Sequence, residues 1–313
     1  MSESGFKTAA SIGTGIMGPG VGVVLAIGGL RTTILSRDPA RAAAAMERAR
    51  AEIDSLESND LLTSERAEAA CGLLFASTDF AGVIPQADIV IESAPEEMTL
   101  KRELFAWMDC VTPASTVLAS NTSGLSITAI AAVCKHPERV VTTHFWNPPY
   151  LMPLVEIVRG ARTNDAVVTC VEALLTHCGK VPVVVRKDTP GQLGNRLQMA
   201  LVREAVHIVQ EGIADAEAVD LVARMSFGLR LPVMGILEFQ DLIGVDLSLA
   251  VLDYVAPSLN NDPGAPRLMR EMLQRGELGV KAGKGFYDWS AKDAQAIRDR
   301  RDQFLVAFLK GNY

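Results

Sequence analysis

A histidine and a glutamate twelve residues apart are, by type and spacing, the side chains best suited to move a proton. His144 ends an apolar run that begins at Val140, and Glu156 stands between two aliphatic residues in a second apolar run. An imidazole changes charge near neutral pH, whereas a carboxylate inside an apolar run needs a hydrogen-bonding partner. Together the two residue types indicate acid–base chemistry on a hydroxyl or carbonyl group.

Two strands joined by a turn would bring this pair together. Asn147-Pro148-Pro149, between the two apolar runs, predicts the turn. If the runs pair, Glu156 can hydrogen-bond one ring nitrogen of His144 and leave the other free to exchange a proton with a substrate hydroxyl. On these residues alone, a packed histidine and an edge-strand glutamate are an equally open alternative.

A glycine motif near the N-terminus predicts a dinucleotide site. Its glycines are Gly13, Gly15 and Gly18, and the helix start that they lead into is at Ile16 and Met17. The motif lies between a predicted strand at residues 7–12 and a predicted helix at 17–30, with a second strand at 32–35. In such a βαβ unit the glycines allow a tight turn and close approach of a pyrophosphate to the helix N-terminus. A glycine-rich turn without a ligand is the alternative reading.

The residues after the second predicted strand bear on the choice between NAD and NADP. An acid is expected there, because a carboxylate accepts both ribose hydroxyls and repels a 2′-phosphate. This chain has Ser36 and Arg37 at that point, followed by Asp38. Ser36 and Arg37 could hold the phosphate of NADP, whereas Asp38 would serve NAD if the turn brings it round. We favour NAD and leave NADP open.

Polar residues cluster after two further predicted strands, at 88–92 and 117–120. Glu96 and Lys101 follow the first of these strands, and the run from Ser120 to Ser123 follows the second. The carboxyl ends of parallel strands bind ligands in doubly wound sheets. One helix cap would explain one member of the second cluster but hardly all of them, so we expect donors aimed at a ligand. Surface charge is the alternative for Glu96 and Lys101.

The spacing of apolar residues along the chain changes near residue 188. Strand-like runs stop there, and from Asn195 to Tyr254 the apolar residues follow helical spacing. We therefore predict an α/β fold in which a Rossmann-type doubly wound sheet (residues 1–188) precedes an all-α domain (residues 189–313). Apolar stripes on the helices of the second domain favour a homodimer.

Composition limits the classes of partner. A net charge of −7 and a pI near 5.3 argue against nucleic acid and anionic membrane surfaces and favour a small-molecule substrate. Five scattered cysteines without a CxxC and four dispersed histidines give no metal-site signature. The chain has no apolar run of about 18 residues, so we expect a cytoplasmic protein without a membrane span. From the scattered cysteines and histidines we also expect no bound metal.

Six motifs in order resemble the 3-hydroxyacyl-CoA dehydrogenase family over almost the whole chain. They are the Gly13–Gly18 motif, Pro95-Glu96-Glu97 with Lys101, Ser120-Asn121-Thr122-Ser123, His144-Phe145-Trp146-Asn147-Pro148 with Glu156, Gly191–Leu197 with Asn195, and Gly279–Tyr287. The resemblance implies an oxidoreductase of fatty-acid or hydroxy-acid metabolism. It also implies a Rossmann domain followed by a helical domain that dimerises.

The resemblance implies a role for each matching residue. His144 would take the proton from the substrate 3-hydroxyl, and Glu156 would orient it. Ser123 and Asn195 would hydrogen-bond the oxygen being oxidised. The cofactor-binding residues implied after the glycine motif are Glu96, Lys101, Asn121 and Asn147.

Departures from the family pattern favour a free hydroxy acid over a CoA thioester. Acyl-CoA members carry lysines facing the CoA phosphates where this chain has residues 53–61, a segment with acids and no cation. The stretch from Asn147 to Glu156 is closer to the lambda-crystallin (L-gulonate 3-dehydrogenase) branch, although the Gly279–Tyr287 loop keeps the acyl-CoA pattern. A free carboxylate needs a cation, for which Arg230 is the first candidate and Arg203 the second. A true L-3-hydroxyacyl-CoA dehydrogenase and a non-catalytic, crystallin-like NAD-binding protein are the alternatives.

Overall fold

An eight-stranded sheet forms the centre of the first part of the chain. The computed structural model describes residues 5–312, and its strands follow the order β3-β2-β1-β4-β5-β6-β7-β8. The strands are β1 (Thr8–Ile12), β2 (Arg31–Leu35), β3 (Leu74–Ser77), β4 (Ile89–Glu92), β5 (Val117–Ser120), β6 (Val140–Phe145), β7 (Leu154–Arg159) and β8 (Val181–Val185). All neighbours pair in parallel except β6 and β7, which are antiparallel. The turn of the chain between these two strands explains the exception.

Helices cover both faces of the sheet. They are α1 (Met17–Ile27), α2 (Pro39–Ser58), α3 (Ser64–Leu73), α4 (Phe80–Val83), α5 (Met98–Val111), α6 (Ile127–Ala131) and α7 (Asp165–His177). The strands β4 and β5 are buried along their whole length, as expected for parallel strands packed between two helical layers. Apolar side chains of α1 and α7 pack on one face, and those of α5 and α6 pack on the other. The crossover from β1 through α1 to β2 places the glycine motif at the carboxyl end of β1.

The rest of the described chain is helical. Its helices are α8 (Gly194–Gln210), α9 (Ala216–Met225), α10 (Phe227–Arg230), α11 (Ile236–Ile243), α12 (Val245–Val255), α13 (Arg267–Gln274) and α14 (Ala294–Asn312). The predicted class, a Rossmann-type sheet followed by a helical region, is confirmed. None of the helices between residues 5 and 312 combines the length and apolar character needed to cross a bilayer.

Contacts divide the described chain into two compact units. The first contains the residues up to Arg196 and those from Arg300 onward, and the second is Leu197–Asp299. The boundary predicted at residue 188 therefore differs by eight residues from the one that the contacts define. The predicted all-α domain also included the last helix, whereas Leu305, Val306 and Leu309 of α14 pack on the apolar cluster of α2 and α3. A helix that packs on a distant part of the sequence leaves no local signal of its partner.

A buried carboxyl group lies in the contact between α1 and α2. Oε2 of Glu52 on α2 is buried without a hydrogen-bond partner among the described residues, and a Cβ built at Gly20 of α1 would lie 3.2 Å from it. Burial raises the pKa of Glu52 to about 7, and the nearby Arg48 guanidinium opposes that rise. Because the folded pKa exceeds the ordinary value of 4.5, ionisation of Glu52 costs stability as the pH rises from 4.5 to about 7.

We expect Glu52→Gln to stabilise the protein at pH 8 by about 1–3 kcal/mol and to have little effect at pH 4. The neutral amide keeps the shape of the side chain and removes the buried charge. Denaturant unfolding at both pH values measures the difference. Glu47→Gln, at an exposed position of the same helix, is the matched control. An equal gain at both pH values would contradict the assigned titration.

Candidate active site

The antiparallel pairing of β6 and β7 places His144 directly opposite Glu156. Nδ1 of His144 lies 2.8 Å from Oε2 of Glu156, and the two residues are 5% and 1% exposed. The turn that makes this pairing possible contains the predicted Asn147-Pro148 pair, joined by a cis peptide bond. The structure thus brings the two predicted acid–base residues into direct contact.

Four donors surround the carboxylate of Glu156. Oε1 accepts hydrogen bonds from the backbone N–H groups of Leu193 and Gly194, both at 2.9 Å. Oε2 pairs with His144 and also accepts the indole N–H of Trp146 at 3.3 Å. Burial alone would raise the pKa of Glu156, but the hydrogen bonds from His144, Gly194 and Leu193 hold it below the ordinary value. Glu156 is therefore ionised at neutral pH.

An ionised Glu156 determines which nitrogen of His144 carries the proton. A carboxylate only accepts, so Nδ1 of His144 must donate to it. The neutral imidazole then presents a bare Nε2, which can take a proton from a hydroxyl group. The charge on Glu156 also balances the imidazolium that this transfer creates.

Trp146 packs close to this pair and was not predicted as a site residue. Its ring centroid lies 5.3 Å from that of His144. A Cβ built at Gly194, the first residue of α8, would overlap the indole ring of Trp146. The glycine therefore allows the indole and the start of α8 to approach Glu156 together. No sequence motif flagged this contact, because it joins positions 48 residues apart.

The turn after β5, formed by residues 122–124, is held from two sides. Oε1 of Glu96 accepts hydrogen bonds from the Thr122 hydroxyl (2.5 Å) and from the N–H groups of Ser123 (2.9 Å) and Gly124 (3.0 Å). On the other side, Nδ2 of Asn195 donates to the carbonyl oxygen of Ser123 at 2.8 Å. Ser123 itself is exposed. The predicted residues Glu96, Ser123 and Asn195 thus form one connected group, although Asn195 here binds the protein backbone.

A second buried ion pair supports the carboxyl end of β4. Nζ of Lys101 lies 2.7 Å from Oε1 of Glu92, and Oε2 of Glu92 accepts the hydroxyl of Ser120 at 2.7 Å. Lys101 is only 1% exposed and lies 3.6 Å from Glu96. In this structure the ammonium of Lys101 neutralises Glu92 at the end of β4. A direct contact of Lys101 with a cofactor ribose stays a prediction.

The two predicted asparagines differ in their surroundings. Oδ1 of Asn121 accepts the backbone N–H of Phe145 at 2.8 Å, and its Nδ2 donates to Ser93 at 3.1 Å. Asn121 thereby ties the end of β5 to the residue that follows His144. Asn147 is exposed. Their contacts with a cofactor stay predictions.

The glycine loop has the form required for a dinucleotide. Gly13 has a φ of +113°, and a Cβ there would lie 2.6 Å from the carbonyl oxygen of Ser93. A Cβ at Gly18 would overlap the carbonyl oxygen of Gly13, whereas a Cβ at Gly15 meets no described atom within 4 Å. In the described chain, no side chain caps the N-terminus of α1, so the N–H groups around Ile16 and Met17 are available to an anion.

Arg48 orients the peptide groups of this loop and was missed in the sequence. Its guanidinium donates to the carbonyl oxygens of Thr14 (2.6 Å) and Gly15 (3.3 Å). In a trans peptide the N–H points opposite to the C=O, so the N–H groups of Gly15 and Ile16 point away from Arg48. This leaves two donors for a phosphate group.

We expect Gly15→Ala to weaken NAD binding by at least about 10-fold without lowering Tm. The added methyl group has room in the free protein and would occupy the space through which a pyrophosphate approaches. Gly18→Ala should instead lower Tm, because its Cβ overlaps the Gly13 carbonyl. Calorimetric titration with NAD and thermal unfolding of both variants provide the measurements. Unchanged NAD affinity in Gly15→Ala would remove the loop from the cofactor site.

The residues after β2 form the start of the following helix. The hydroxyl of Ser36 accepts the N–H of Asp38, and the carboxylate of Asp38 accepts the N–H groups of Ala40 (2.8 Å) and Arg41 (3.1 Å). Asp38 is therefore the N-cap of α2 through Oδ1, and a contact of its second oxygen with the ribose stays a prediction. Arg37 is exposed.

The two candidate anchors for a substrate carboxylate both lie in the second unit. The guanidinium of Arg230 stacks 4.4 Å from the ring centre of Phe239, and within residues 5–312 no carboxylate lies in ion-pair distance of it. Arg203 donates to the carbonyl oxygen of Asp262 at 3.3 Å. Their role as anchors stays a prediction. The described part of the chain has no group of three or more His, Cys, Asp or Glu residues arranged to hold a metal ion.

Comparisons with known proteins assign both parts of the chain. Residues 8–189 match the NAD-binding domain of 3-hydroxyacyl-CoA dehydrogenase, and residues 191–289 match the C-terminal domain of the same family. The predicted cofactor, NAD, is confirmed by this match.

Individual relatives cover nearly the whole chain. A 5-formyl-3-hydroxy-2-methylpyridine 4-carboxylate 5-dehydrogenase of Mesorhizobium japonicum is 33% identical over 302 residues, which are 96% of each protein. A probable 3-hydroxybutyryl-CoA dehydrogenase of Bacillus subtilis is 36% identical over 284 residues, 90% of this chain and 96% of the relative. The crystal structure of an NAD⁺-dependent 5-formyl-3-hydroxy-2-methylpyridine 4-carboxylic acid 5-dehydrogenase superposes with a TM-score of 0.89 at 31% identity, covering 98% of this chain and 100% of that one.

Proposed function

Because this chain belongs to the 3-hydroxyacyl-CoA dehydrogenase family and is an NAD-dependent oxidoreductase, we propose that its substrate is a small hydroxy acid with a free carboxylate. The observation that carries the proposed chemistry is the buried pair of His144 and Glu156, 2.8 Å apart. In this proposal His144 is the acid–base residue and Glu156 orients it.

The proton path follows from the hydrogen bonds of the pair. Nε2 of His144 takes the proton of the substrate hydroxyl, while Nδ1–H stays bound to Glu156. When NAD is bound, its nicotinamide would accept the hydride from the carbon atom that carries this hydroxyl. The negative charge of Glu156 stabilises the imidazolium, and its four donors keep the carboxylate from rotating away. In the reverse direction the imidazolium returns the proton to the carbonyl oxygen.

Ser123 is proposed to bind the oxygen that gains or loses the proton. Its backbone is fixed by Glu96 and Asn195, while its side chain is exposed and available to a ligand. A hydroxyl donor held in advance at this oxygen stabilises the charge that develops during the reaction. Asn195 is proposed to act at the same oxygen, in addition to its contact with Ser123.

Two features support a free acid over a CoA thioester. Residues 53–58 lie on α2 and residues 59–61 follow it, and this segment carries Asp54, Glu57 and Asp60 without any cation. Lys310 pairs with Asp60, but Asp54 and Glu57 leave the segment negatively charged, so phosphate groups of CoA would be repelled by it. The pyridine carboxylate dehydrogenase similar to this chain acts on a free acid by its name.

A CoA thioester is the second candidate. It is favoured by the similarity to the Bacillus subtilis relative, which is named for 3-hydroxybutyryl-CoA. Turnover measured in parallel on acetoacetyl-CoA with NADH and on free acids such as L-gulonate and carnitine with NAD separates the two. We expect kcat/KM to be higher for a free acid. A higher value for the thioester would favour the CoA thioester as the substrate, as in fatty-acid metabolism. No turnover of any member of a broad panel would favour the non-catalytic alternative.

We propose Arg230 as the partner of the substrate carboxylate. Its cationic group lacks a carboxylate partner among the described residues, and a charged hydrogen bond of this kind contributes about 1.5–3 kcal/mol. Arg230→Ala should therefore raise KM for a free acid by about 10- to 100-fold with little change in NAD affinity. Steady-state kinetics of Arg230→Ala and Arg203→Ala test the assignment. An unchanged KM in Arg230→Ala would exclude that residue.

We further propose that the protein is a cytoplasmic homodimer formed through the second unit. That unit exposes several large apolar side chains, among them Val233 (85%), Leu237 (79%) and Tyr254 (88%). Exposed apolar surface of this extent is typical of an interaction surface. Light scattering coupled to gel filtration measures the mass in solution, and a monomer at micromolar concentration would contradict the proposal.

The proposed cytoplasmic location is supported by the five cysteines. All of them are free, which is consistent with a reducing compartment.

A further inference from the structure

Four consecutive residues, Gln192 to Asn195, connect the two halves of the site and are called here the linking segment. The N–H groups of Leu193 and Gly194 bind Oε1 of Glu156. The side-chain amides of Gln192 and Asn195 point to the turn after β5, where they donate to the carbonyl oxygens of Thr122 (2.7 Å) and Ser123 (2.8 Å). One segment thus holds both the acid–base pair and the turn that carries the Ser123 hydroxyl.

Gln192 is the member of this segment that occupies the least favourable environment. Its φ is +54°, a left-handed conformation that residues other than glycine rarely adopt. The side chain is 3% exposed, and its Oε1 is buried without a hydrogen-bond partner in the described chain. A buried acceptor left unpaired costs stability, as does the left-handed backbone.

The orientation of the Gln192 amide follows from its one partner. Nε2 lies 2.7 Å from the carbonyl oxygen of Thr122, and a reversed amide would set two acceptors against each other. The hydrogen bond to Thr122 is therefore the interaction that this side chain supplies. Two stability costs accompany a single hydrogen bond, which suggests that the residue serves something other than stability.

The place where Gln192 acts is the 122–124 turn. Glu96 holds this turn from one side through three hydrogen bonds, and Gln192 and Asn195 hold it from the other. The contact therefore fixes the position of Ser123 relative to Glu156, and through Glu156 relative to His144. Catalysis is sensitive to such positions, since a displacement of about 1 Å can cost about 100-fold in rate.

We propose that Gln192 is a positioning residue of the dehydrogenase reaction, which sets the Ser123 hydroxyl in register with the ring of His144. The inference rests on the proposed roles of Ser123 and His144. It assigns to Gln192 no contact with substrate or cofactor.

Two variants of Gln192 test this inference. Gln192→Met removes the amide and its unpaired oxygen at similar size, and Gln192→Gly also relieves the left-handed backbone. We expect both to keep Tm within about 3 °C of the wild type or above it. We expect kcat to fall about 10-fold, with KM and the Kd of NAD changed less than about 2-fold. Gln303→Met, the same exchange at an exposed position of α14, should leave all four quantities unchanged.

A double-mutant cycle separates positioning from a general loss of structure. If Gln192 acts through Ser123, adding Gln192→Met to Ser123→Ala should lower kcat no further, whereas independent effects would multiply. Multiplying effects, an unchanged kcat in the single variants, or a large fall of Tm in both would each overturn the inference. Absence of dehydrogenase activity in the wild-type protein would instead overturn the proposed function, so the two failures are distinguishable.

Discussion

Replacing His144 by glutamine is expected to lower kcat by about 10²- to 10⁴-fold, the usual contribution of a positioned acid–base residue. Glutamine can fill the same space and still hydrogen-bond Glu156, but it has no nitrogen that accepts a proton near neutral pH. Because glutamine can keep a hydrogen bond to Glu156, the ionic partner of His144 among the described residues, we expect the fold to persist. Stopped-flow hydride transfer and steady-state kinetics on the best substrate give the measurement.

The control for this variant is His136→Gln. His136 is an exposed histidine paired with Glu138 at 3.2 Å, so the same substitution there removes an imidazole without touching the β6–β7 pair. NAD affinity should match the wild type in both variants. If His144→Gln turned over substrate at a rate within about 3-fold of the wild type, the acid–base assignment would be wrong.

Glu156→Gln is expected to lower kcat by about 10³-fold and to destabilise the fold by about 1–3 kcal/mol. The carboxylate accepts four donors, two on each oxygen, while an amide offers one oxygen and adds donors of its own. Either the N–H groups of Leu193 and Gly194 or those of His144 and Trp146 would then face an NH₂ group. The neutral side chain also cannot balance an imidazolium.

The stability part of this effect should depend on pH. The folded-state pKa of Glu156 is below the ordinary value of 4.5, so ionised Glu156 stabilises the fold above pH 4.5 and loses that contribution as the pH falls toward the folded pKa. The difference in unfolding free energy between wild type and Glu156→Gln should therefore shrink below pH 4.5. Chemical denaturation between pH 3.5 and 7 measures it, with Glu138→Gln as an exposed control. A difference that grows on acidification would contradict the sign.

The residues that local patterns identify are those whose role depends on neighbours in sequence. The GxGxxG motif follows a strand and opens a helix, and the two apolar runs around Asn147-Pro148-Pro149 predict a hairpin that sets His144 against Glu156. Once the two strands pair, their register determines which side chains lie opposite each other. The fold class and the contact between His144 and Glu156 could therefore be predicted from the sequence.

Residues that act through distant partners could not be predicted. Arg48 binds the glycine loop 34 residues away, and Gln192 binds Thr122 70 residues away. No periodicity or motif records such a contact, because it depends on how helices and turns pack on the finished sheet. Lys101 was predicted as a charge near the site, and Glu92 was correctly placed in a strand. The ion pair between them was not predicted.

Asp38 has a role that was missed although a usable local signal for it was present. Aspartate followed by Pro39 is a common way to begin a helix, because the carboxylate caps the first N–H groups and proline fits the first turn. The structure has this arrangement at the start of α2. The capping role was not predicted, because this aspartate was considered only as an acid for the cofactor ribose.

The return of α14 to the first unit has a consequence for dissecting the protein. The nucleotide-binding half is not one uninterrupted stretch, so a fragment ended at Arg196 would lack Leu305, Val306 and Leu309 and uncover the apolar surface that they protect. It would also leave Asp60 without its ion pair to Lys310. A separately expressed cofactor domain would need the last helix grafted on through a designed linker, whereas the helical unit could be excised as a single insert.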